Sequence, residues 1–510
     1  MFVMKNNKIW AILSGVILLL QLAAEALTAA IILRLNVLPD KYTVVLFVVL
    51  AALLAITALL LFAHGKKPVG TARRIVACIL ALIIVCGCAL LAKLAADAYK
   101  TIHAVTNSGE ETSVRNMYVF VRNEDPAQTL ADTKDYAYAI IADYDEEHTQ
   151  QAIVVIEAQI SKTLEPAELE KTSDLADALF SSQVDAVIMN GAAVTLLMEE
   201  DAYADFTQKA RILHTMPLSQ LEVTQPTETE QTDPPEVERT ITNSPFIVYI
   251  SGSDTRSSKL RVSRSDVNIL AVVNPVTKQV LLINTPRDYY VPNPAGNGKL
   301  DKLTHCGLYG TECSMETLGE LYDLEVDYYA QINFKGYEKL INAVGGVTIY
   351  SDQSFKARDT YIKKGENKLN GAQALDYARE RYHVSGGDNG RGKNQMKVVK
   401  ALIEKMTTGT TIISNYSSIL DSLGGMFSTS VSMDEISMLV KMQLEDMASW
   451  NIQSFAVTGK GGSEKTYSAP GVYAYVMHPN KEVVAHAAEL VDRVMNGEIL
   501  TEEDVTLPEE

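Results

Sequence analysis

Three long apolar runs open the chain, at residues 10–33, 44–62 and 75–91. Each is close to the roughly 20 residues that an α-helix needs to cross the hydrocarbon core of a bilayer. The pattern therefore predicts a membrane anchor of three transmembrane helices within residues 1–95. The first run also resembles a secretory signal peptide, because Lys5 and Lys8 precede it and residues 26–30 are small. The two further runs favour retention of the segment.

Charged residues beside the runs predict an orientation. Basic residues lie before the first run and between the second and third, whereas the first loop carries only Arg34 and Lys41 beside Asp40. Cytoplasmic loops are enriched in Lys and Arg. The N-terminus is therefore expected in the cytosol and everything after about residue 95 outside. Glu25 lies inside the first run, and we expect it to be protonated or paired within the helices.

After the anchor, short apolar stretches alternate with amphipathic ones. Strands are predicted at 117–121, 136–141 and 184–189, and helices at 146–162 and 173–181. This α/β pattern over 100–218 contains no glycine-rich phosphate loop and no recognisable catalytic triad. It is interpreted as an accessory domain, either a spacer or a module for an unknown partner.

Composition divides the remainder. Residues 219–244 are rich in Pro, Thr and Glu and predict an extended linker. A compact domain is predicted over 245–497, followed by an acidic tail at 498–510.

The 510 residues carry 63 acidic and 45 basic side chains, a net charge of −18, so non-specific binding to nucleic acid is not expected. Cys306 and Cys313 are expected on the extracytoplasmic side of the membrane, where disulfides form. The sequence leaves open whether they form a local disulfide or stay as two free thiols.

The stretch 246–288 predicts a cluster of charge at one end of a sheet. A strand at 246–250 leads to Asp254, Asp266 opens a strand at 267–273, and a hairpin strand at 279–284 leads to Arg287. If the last two strands pair, Arg287 returns to the level of Asp266. The cluster is then either a surface salt-bridge set or a divalent-cation site facing a phosphate clamp, for which Mg²⁺ is the suited ion.

Further basic residues follow two predicted helices. The segment 369–382 begins as a helix and ends with Arg379 and Arg381, two residues apart and therefore not on one helix face. Either one of these arginines has no role in the site, or the backbone leaves the helix there so that both converge. A second helix is predicted at 392–406, with Arg391 and Gln395 at its N-terminus, where backbone N–H groups favour an anion.

These segments, in this order after a membrane anchor, resemble the LytR-CpsA-Psr family of bacterial cell-envelope glycopolymer transferases. The resemblance is strong over residues 245–408 and weaker to about residue 495. It rests on five linked motifs: Gly252-Ser253-Asp254-Thr255-Arg256, Arg264-Ser265-Asp266, Pro286-Arg287-Asp288, Ala378-Arg379-Glu380-Arg381, and Asp388-Asn389-Gly390-Arg391 with Gln395.

The resemblance implies an α/β catalytic domain with a mixed sheet flanked by helices, and roles for particular residues. Asp254 and Asp266 match the pair that holds Mg²⁺, and together with Arg287 they are the implied catalytic residues. Two departures stand out: Asn394 replaces a usual arginine, and Thr304-His305-Cys306 replaces a common Asn-His-Ala stretch. The positions that match pyrophosphate binding are Arg264, Arg287, Lys302, Arg379, Arg381, Arg391 and Gln395.

The implied reaction moves a glycopolymer from a polyprenyl diphosphate carrier to peptidoglycan and releases polyprenyl phosphate. The implied partners are the lipid-linked glycan donor, the peptidoglycan acceptor and the membrane. A donor-binding regulatory protein, a lipid pyrophosphatase and an assembly scaffold are the alternatives. The general base stays unassigned, since Asp288 or Asp388 would also serve to orient arginines.

Overall fold

The computed structural model describes residues 2–36, 38–62, 71–106, 116–217, 239–253, 255, 260, 262–408, 419 and 424–506. Three N-terminal helices come first: α1 (Phe2–Leu35), α2 (Asp40–Phe62) and α3 (Thr71–Thr106). Each contains a 23-residue segment long and apolar enough to cross a membrane, as the sequence predicts. The predicted linker at 219–244 lies mostly outside the described residues.

Two polar contacts occur inside this helical anchor. Buried Glu25 accepts a hydrogen bond from Nε2 of Gln21, one turn earlier on α1, at 2.8 Å. The Thr28 hydroxyl donates to the carbonyl oxygen of Cys88 on α3 at 3.2 Å. The Glu25 side chain is thus paired within its own helix, and a neighbouring polar contact joins α1 to α3.

The accessory region forms a five-stranded sheet with the strand order β3-β2-β4-β1-β5. Strand β2 is parallel to β3 and β4, whereas β1 is antiparallel to β4 and β5. The predicted strands and helices are confirmed within a few residues, and β3, β5, α6 and α7 are additional. The elements are β1 (Asn116–Arg122), β2 (Tyr138–Ile141), α4 (Glu146–Ile160), β3 (Ala167–Leu169), α5 (Thr172–Phe180), β4 (Ala186–Asn190), α6 (Gly191–Leu197), α7 (Phe206–Lys209) and β5 (Ala210–Pro217).

The larger C-terminal domain contains a six-stranded mixed sheet with the order β16-β11-β6-β7-β8-β17. Its elements begin with β6 (Phe246–Ser253), β7 (Ser265–Asn274), β8 (Gln279–Asn284), β9 (Tyr290–Asn293), β10 (Lys299–Lys302), α8 (Leu303–Cys306), α9 (Thr311–Tyr322), β11 (Tyr328–Asn333) and α10 (Phe334–Ala343). They continue with β12 (Val347–Ser351), β13 (Phe355–Ala357), β14 (Thr360–Ile362), β15 (Gly365–Leu369), α11 (Gly371–Arg379), α12 (Gly387–Thr407), β16 (Phe427–Thr429), α13 (Met433–Asp446), β17 (Asn451–Ala456), β18 (Gly459–Thr466), β19 (Ala469–Pro479) and α14 (Lys481–Met495).

Both faces of this sheet are covered, which explains why β7 and β8 are almost continuously apolar. Leu270 and Ile283 point into a core shared with α9 and α14. Ile269 and Leu282 point the other way, toward Met396 of α12. The sheet is therefore the middle layer of three, and functional side chains can gather only at its ends.

The hairpin predicted from the sequence is present, with β7 and β8 antiparallel and Ile269 opposite Asn284. Its turn lies at the end of the sheet near the membrane anchor. There Lys278 pairs with Asp446 of α13 at 3.1 Å, and Lys441 of the same helix pairs with Asp40 at 2.8 Å. The ten residues of β7 put the opposite end of the strand about 33 Å away.

Two termini of elements differ from the expectations. Helix α12 begins at Gly387, not at residue 392, so the prediction that Arg391 lies at the helix N-terminus is wrong. Gly386 and Gly387 adopt φ angles of 84° and 56°, which turn the chain directly into the helix. At the other end of the domain, Leu500 is buried in the core, so the beginning of the acidic tail packs against the domain.

Candidate functional site

The end of the sheet opposite the β7–β8 turn brings two residues together. Asp266 lies near the start of β7, and Arg287 follows the end of β8. Nη1 of Arg287 donates to Oδ1 of Asp266 at 2.5 Å. Both side chains are mostly buried, with 16% and 18% of their surface exposed. The pairing that strand connectivity predicted is therefore present, with the guanidinium held against the carboxylate.

Two more carboxylates extend this cluster. Asp288 accepts a hydrogen bond from Nζ of Lys302 at 3.1 Å, and Asp388 pairs with Nη2 of Arg391 at 2.5 Å. Burial raises the pKa of Asp388, and the charge of Asp288 adds to the rise, whereas Arg391 opposes it. The charge of Asp288 thus acts on the pKa of Asp388, so these two carboxylates are close. The segment after β8, the end of β10 and the start of α12 therefore contribute to one site.

A turn after α11 separates the two arginines of the Ala-Arg-Glu-Arg motif. The helix ends at Arg379, and Glu380 has an extended backbone. The Glu380 carboxylate accepts hydrogen bonds from the backbone N–H of Tyr382 at 2.7 Å and of His383 at 3.1 Å. Burial opposes ionisation of Glu380, but these amides outweigh it and lower its pKa. The backbone does leave the helix between the arginines, one of the two outcomes that the sequence left open.

Aromatic rings support both of these arginines. The Arg379 guanidinium lies 4.2 Å from the ring centroid of Phe334, which follows the site end of β11. The Arg381 guanidinium lies 4.7 Å from the ring centroid of Tyr382. The positive charge of Arg381 also lowers the pKa of Asp388, so Arg381 lies within electrostatic range of the carboxylate cluster. Stacked guanidiniums keep their N–H donors available for planar anions.

Three other positions singled out by the sequence have different neighbours. Arg264 pairs through Nη2 with Glu199 of the accessory domain at 2.8 Å. Nε2 of Gln395 donates to the carbonyl oxygen of Ala378 at 3.3 Å, and Nδ2 of Asn394 donates to that of Tyr377 at 3.4 Å. Gln395 and Asn394 therefore anchor α12 to α11. Glu199 lies more than 60 residues before Arg264, and no local pattern in the sequence indicates this pair.

The predicted metal ligand Asp254 lies outside the described residues. Asp266 is described, and its carboxylate is a hard oxygen donor beside several cations that suit a phosphate. Within the described part of the chain, no group of three or more His, Cys, Asp or Glu side chains is placed to hold a metal ion. Mg²⁺ usually takes one or two protein carboxylates and completes its shell with water and phosphate, so a site with few carboxylates fits this ion.

A second polar cluster lies beneath the site and was missed by the sequence reasoning. Asp301 is fully buried and accepts hydrogen bonds from Nδ2 of Asn293 at 3.0 Å and from the Ser468 hydroxyl. Nδ1 of His305 lies 2.6 Å from the same carboxylate. Asp301 belongs to β10 and His305 to α8, so no helical spacing in the sequence indicates this pair.

Cys306 and Cys313 lie close to this buried cluster and are free thiols in the structure. The hydroxyl of Thr317 donates to Sγ of Cys306 at 3.4 Å, and Sγ of Cys313 donates to Oδ1 of Asn293 at 3.3 Å. A hydrogen bond with Cys313 and burial raise the pKa of the Cys306 thiol. Of the two alternatives left open by the sequence, the structure contains the free thiols.

Comparison with known proteins gives the family. The model of the LytR_cpsA_psr family matches residues 212–488, which is more than half of the chain. The chain belongs to the LytR-CpsA-Psr family. The matched range contains every site residue described above except Glu199 of the accessory domain.

Individual relatives of this family are moderately similar. A polyisoprenyl-teichoic acid–peptidoglycan teichoic acid transferase TagU from Enterococcus faecalis is 36% identical over 38% of this chain and 63% of its own length. The protein of the same name from Oceanobacillus iheyensis is 31% identical over 48% of this chain and 76% of its own length. The crystal structure of B. subtilis TagV is 25% identical, with a TM-score of 0.42, over 50% of this chain and 98% of that chain.

Proposed function

We propose that this family member is a membrane-anchored phosphotransferase that moves a glycopolymer from a polyprenyl diphosphate carrier to peptidoglycan. The observation that carries the proposal is the cluster of Asp266, Arg287, Asp288, Lys302 and Arg391 at one end of the sheet. The names of the relatives, teichoic acid transferases that act between a polyisoprenyl carrier and peptidoglycan, support the same reaction class.

The reaction is a phosphoryl transfer. A hydroxyl oxygen of the acceptor forms a bond to the glycan-side phosphorus, and the bond from that phosphorus to the bridging oxygen breaks. Polyprenyl phosphate leaves with the electron pair, and the hydroxyl proton passes to a base or to the departing phosphate. Such reactions depend mostly on positioning and on stabilising charge that develops on phosphate oxygens.

The cations of the cluster supply this stabilisation. Arg287, Arg381 and Arg391 carry planar guanidiniums that bind phosphate oxygens bidentately, and Lys302 adds a point charge. Arg264 is paired with Glu199, yet a guanidinium has five N–H donors, so phosphate would share it with that carboxylate. Each carboxylate of the cluster holds a cation in position until a diphosphate arrives.

We propose Mg²⁺ as the cofactor, held by Asp266 and by Asp254. When bound, Mg²⁺ would neutralise charge on the diphosphate. Asp266 lies at the end of a buried strand and is fixed by Arg287, so its carboxylate is already oriented. In the absence of the ion, the same carboxylate keeps Arg287 in place.

We also propose that the three apolar helices all cross the membrane, with the N-terminus inside and the large domain outside. The first turn of α2 supports this arrangement, because Asp40 and Lys41 contact α13 of the C-terminal domain. Asp40 pairs with Lys441, and Nζ of Lys41 donates to the carbonyl oxygen of Glu445 at 2.6 Å. The start of α2 and the domain must then lie on the same side of the bilayer.

The experiment that tests the reaction uses the full chain in detergent with a short-chain polyprenyl diphosphate glycan, Mg²⁺ and peptidoglycan oligomers. Products are identified by mass spectrometry. A glycan joined to the acceptor through a phosphodiester supports the transferase. Free glycan phosphate would instead indicate a lipid pyrophosphatase, and an intact bound donor would indicate a binding or regulatory protein.

The metal proposal predicts the behaviour of Asp266→Asn. The amide is a poorer ligand for Mg²⁺, so the rate should fall about a hundredfold and lose its dependence on Mg²⁺ concentration. The measurement is a Mg²⁺ titration of the initial rate. Asp359→Asn, in the exposed turn between β13 and β14, is the control and should titrate as the parent does. An unchanged metal dependence in Asp266→Asn would remove this residue from the proposed ligands.

A further inference from the structure

The β18–β19 hairpin is fixed at both ends. Near its base, the backbone N–H of Met477 donates to the carbonyl oxygen of Asp288, a member of the site cluster, at 2.7 Å. At its tip, Gly471 lies so close to the accessory domain that a Cβ there would be 2.8 Å from the carbonyl oxygen of Glu170. Tyr467 is also buried in the accessory core. The hairpin is therefore a rigid link between the site and the accessory domain.

One face of this hairpin exposes two aromatic rings. Tyr473 and Tyr475 alternate along β19, with 68% and 53% of their surface exposed. Tyr475 lies against Gly461 on β18, where a Cβ would be 3.0 Å from Cε2 of the ring and 3.1 Å from its hydroxyl. The missing side chain at position 461 thus lets the Tyr475 ring lie against the backbone, with its other face open to solvent.

The aromatic face lies close to the charged cluster. The backbone N–H of Met477, two residues beyond Tyr475 on β19, donates to the carbonyl oxygen of Asp288, and the Met477 side chain is buried in the domain core. Burial raises the pKa of Tyr475, and the carboxylates of Asp288 and Asp388 raise it further. The Tyr475 hydroxyl and the site carboxylates therefore lie within electrostatic range of one another.

The position of the hairpin in the molecule points to one class of ligand. The contacts of Asp40 and Lys41 at the start of α2 lie at the opposite end of β7, beside Lys278 and Asp446. A polyprenyl chain needs a long apolar groove that opens toward the bilayer. The hairpin instead presents tyrosine rings next to Ser463 and Lys465, the residues opposite Tyr475 and Tyr473. This mixture of flat apolar faces and polar edges matches a sugar ring, which has an apolar C–H face and a rim of hydroxyls.

We propose that Tyr473 and Tyr475 form a saccharide-binding subsite for the acceptor glycan strand. A sugar stacked on Tyr475 would direct its neighbour toward the cluster of Arg287, Asp288 and Asp388. The proposal rests on the proposed transferase function for the identity of the acceptor. Because both ends of the hairpin are fixed, the rings need little reorganisation to bind, which lowers the entropic cost of association.

The test measures binding of a peptidoglycan-derived tetrasaccharide to the full chain in detergent by titration calorimetry, with no donor present. Tyr475→Ala should weaken binding about tenfold, as expected for the loss of one stacking ring. Tyr475→Phe keeps the ring and should bind nearly as the parent does. Tyr361→Ala removes an equally exposed tyrosine, 69% exposed on β14, and should leave the affinity unchanged.

A kinetic measurement separates this proposal from the reaction itself. In transfer assays, Tyr475→Ala should raise the KM for the acceptor about tenfold and leave the KM for the donor unchanged. The subsite is overturned if Tyr475→Ala leaves the tetrasaccharide affinity unchanged, or if Tyr361→Ala reduces it equally. Either result counts against the subsite even if transfer occurs. Selective loss of tetrasaccharide binding in a chain that transfers nothing supports the subsite and overturns the transferase.

Discussion

Two clusters of carboxylates lie close together in the C-terminal domain and differ in what surrounds them. In the site cluster, Asp266, Asp288 and Asp388 pair with Arg or Lys, and the side chains are 11% to 22% exposed. In the buried cluster, Asp301 has no exposed surface and is surrounded by His305, Asn293 and Ser468. The same residue type therefore serves two purposes, and solvent access together with the partner decides which.

The chemistry of the partners explains the difference. A guanidinium that holds a carboxylate at a partly exposed site can turn its remaining donors to phosphate, so the site cluster is ready for a ligand. The hydrogen-bond donors around Asp301 belong to buried residues of the same domain. If one of them turned away to bind a ligand, the buried Asp301 carboxylate would lose a partner. Loss of a partner from a buried pair is strongly destabilising. We therefore expect site substitutions to reduce activity and Asp301 substitutions to reduce stability.

Arg287→Ala should have the largest effect on activity. It removes the guanidinium that joins Asp266 to the cluster, and the loss of one preorganised donor to a charged transition state lowers kcat/KM by about 10²- to 10³-fold. The domain should remain folded, because Arg287 contributes no apolar core contact. Transfer kinetics and circular dichroism of the full chain provide the two measurements.

Arg287→Lys sharpens the same comparison. Lysine keeps the charge but not the planar fork, so a substantial part of the loss should persist. Lys368→Ala, on the exposed side of β15, is the control for loss of a distant positive charge. Full turnover by Arg287→Ala would exclude this residue from the proposed phosphate clamp.

Asp301→Asn should have the opposite profile. His305, Asn293 and Ser468 surround the Asp301 carboxylate with hydrogen-bond donors. An asparagine amide at this position is uncharged, and its NH₂ group is a donor rather than an acceptor. The free energy of unfolding should fall by about 3 kcal/mol. Fluorescence of Trp450, measured during urea unfolding in a Trp10→Phe background, reports on this domain because its indole N–H donates to Gln443 of α13.

The matched control is Asp323→Asn. Asp323 ends α9 with a φ of 54°, a left-handed conformation that asparagine tolerates well, so stability should hardly change. If Asp301→Asn unfolded like the parent but lost transfer, Asp301 would belong to the functional cluster and the contrast between the two clusters would fail.

The site cluster was accessible to sequence reasoning because its geometry is local. Once 267–273 and 279–284 are strands with a short turn between them, pairing alone brings Arg287 to Asp266. Similarly, the arginines at 379 and 381 cannot share a helix face, so a break in the helix between them was one of the two outcomes that the spacing left open. Periodicity and strand pairing act over a few residues, so they specify these features without knowledge of the rest of the fold.

Contacts between domains were not accessible in this way. The hydroxyl of Tyr309 lies 3.0 Å from that of Tyr144 in the accessory domain and 2.9 Å from that of Ser468. These contacts continue the buried cluster into the accessory domain, and the Glu199–Arg264 pair forms a second connection. Each depends on how two separately folded sheets are placed, which no local pattern encodes. The predicted start of α12 was wrong for a different reason. Gly386 and Gly387 indicate a loop in the sequence, but in the structure they form the turn that begins the helix.

Asp388→Asn should have the smallest effect, visible in the pH dependence of stability. Burial raises the pKa of Asp388 in the folded chain, so its protonated form stabilises the fold below its unfolded pKa, and this contribution is lost as the pH rises through the folded pKa. Asparagine cannot ionise and avoids that loss. Relative to the parent, Asp388→Asn should therefore gain stability from pH 4 to pH 7, beyond any constant cost of losing the Arg391 pair. Thermal unfolding midpoints across this range measure the difference, and a difference independent of pH would show that Arg391 fully compensates the burial of Asp388.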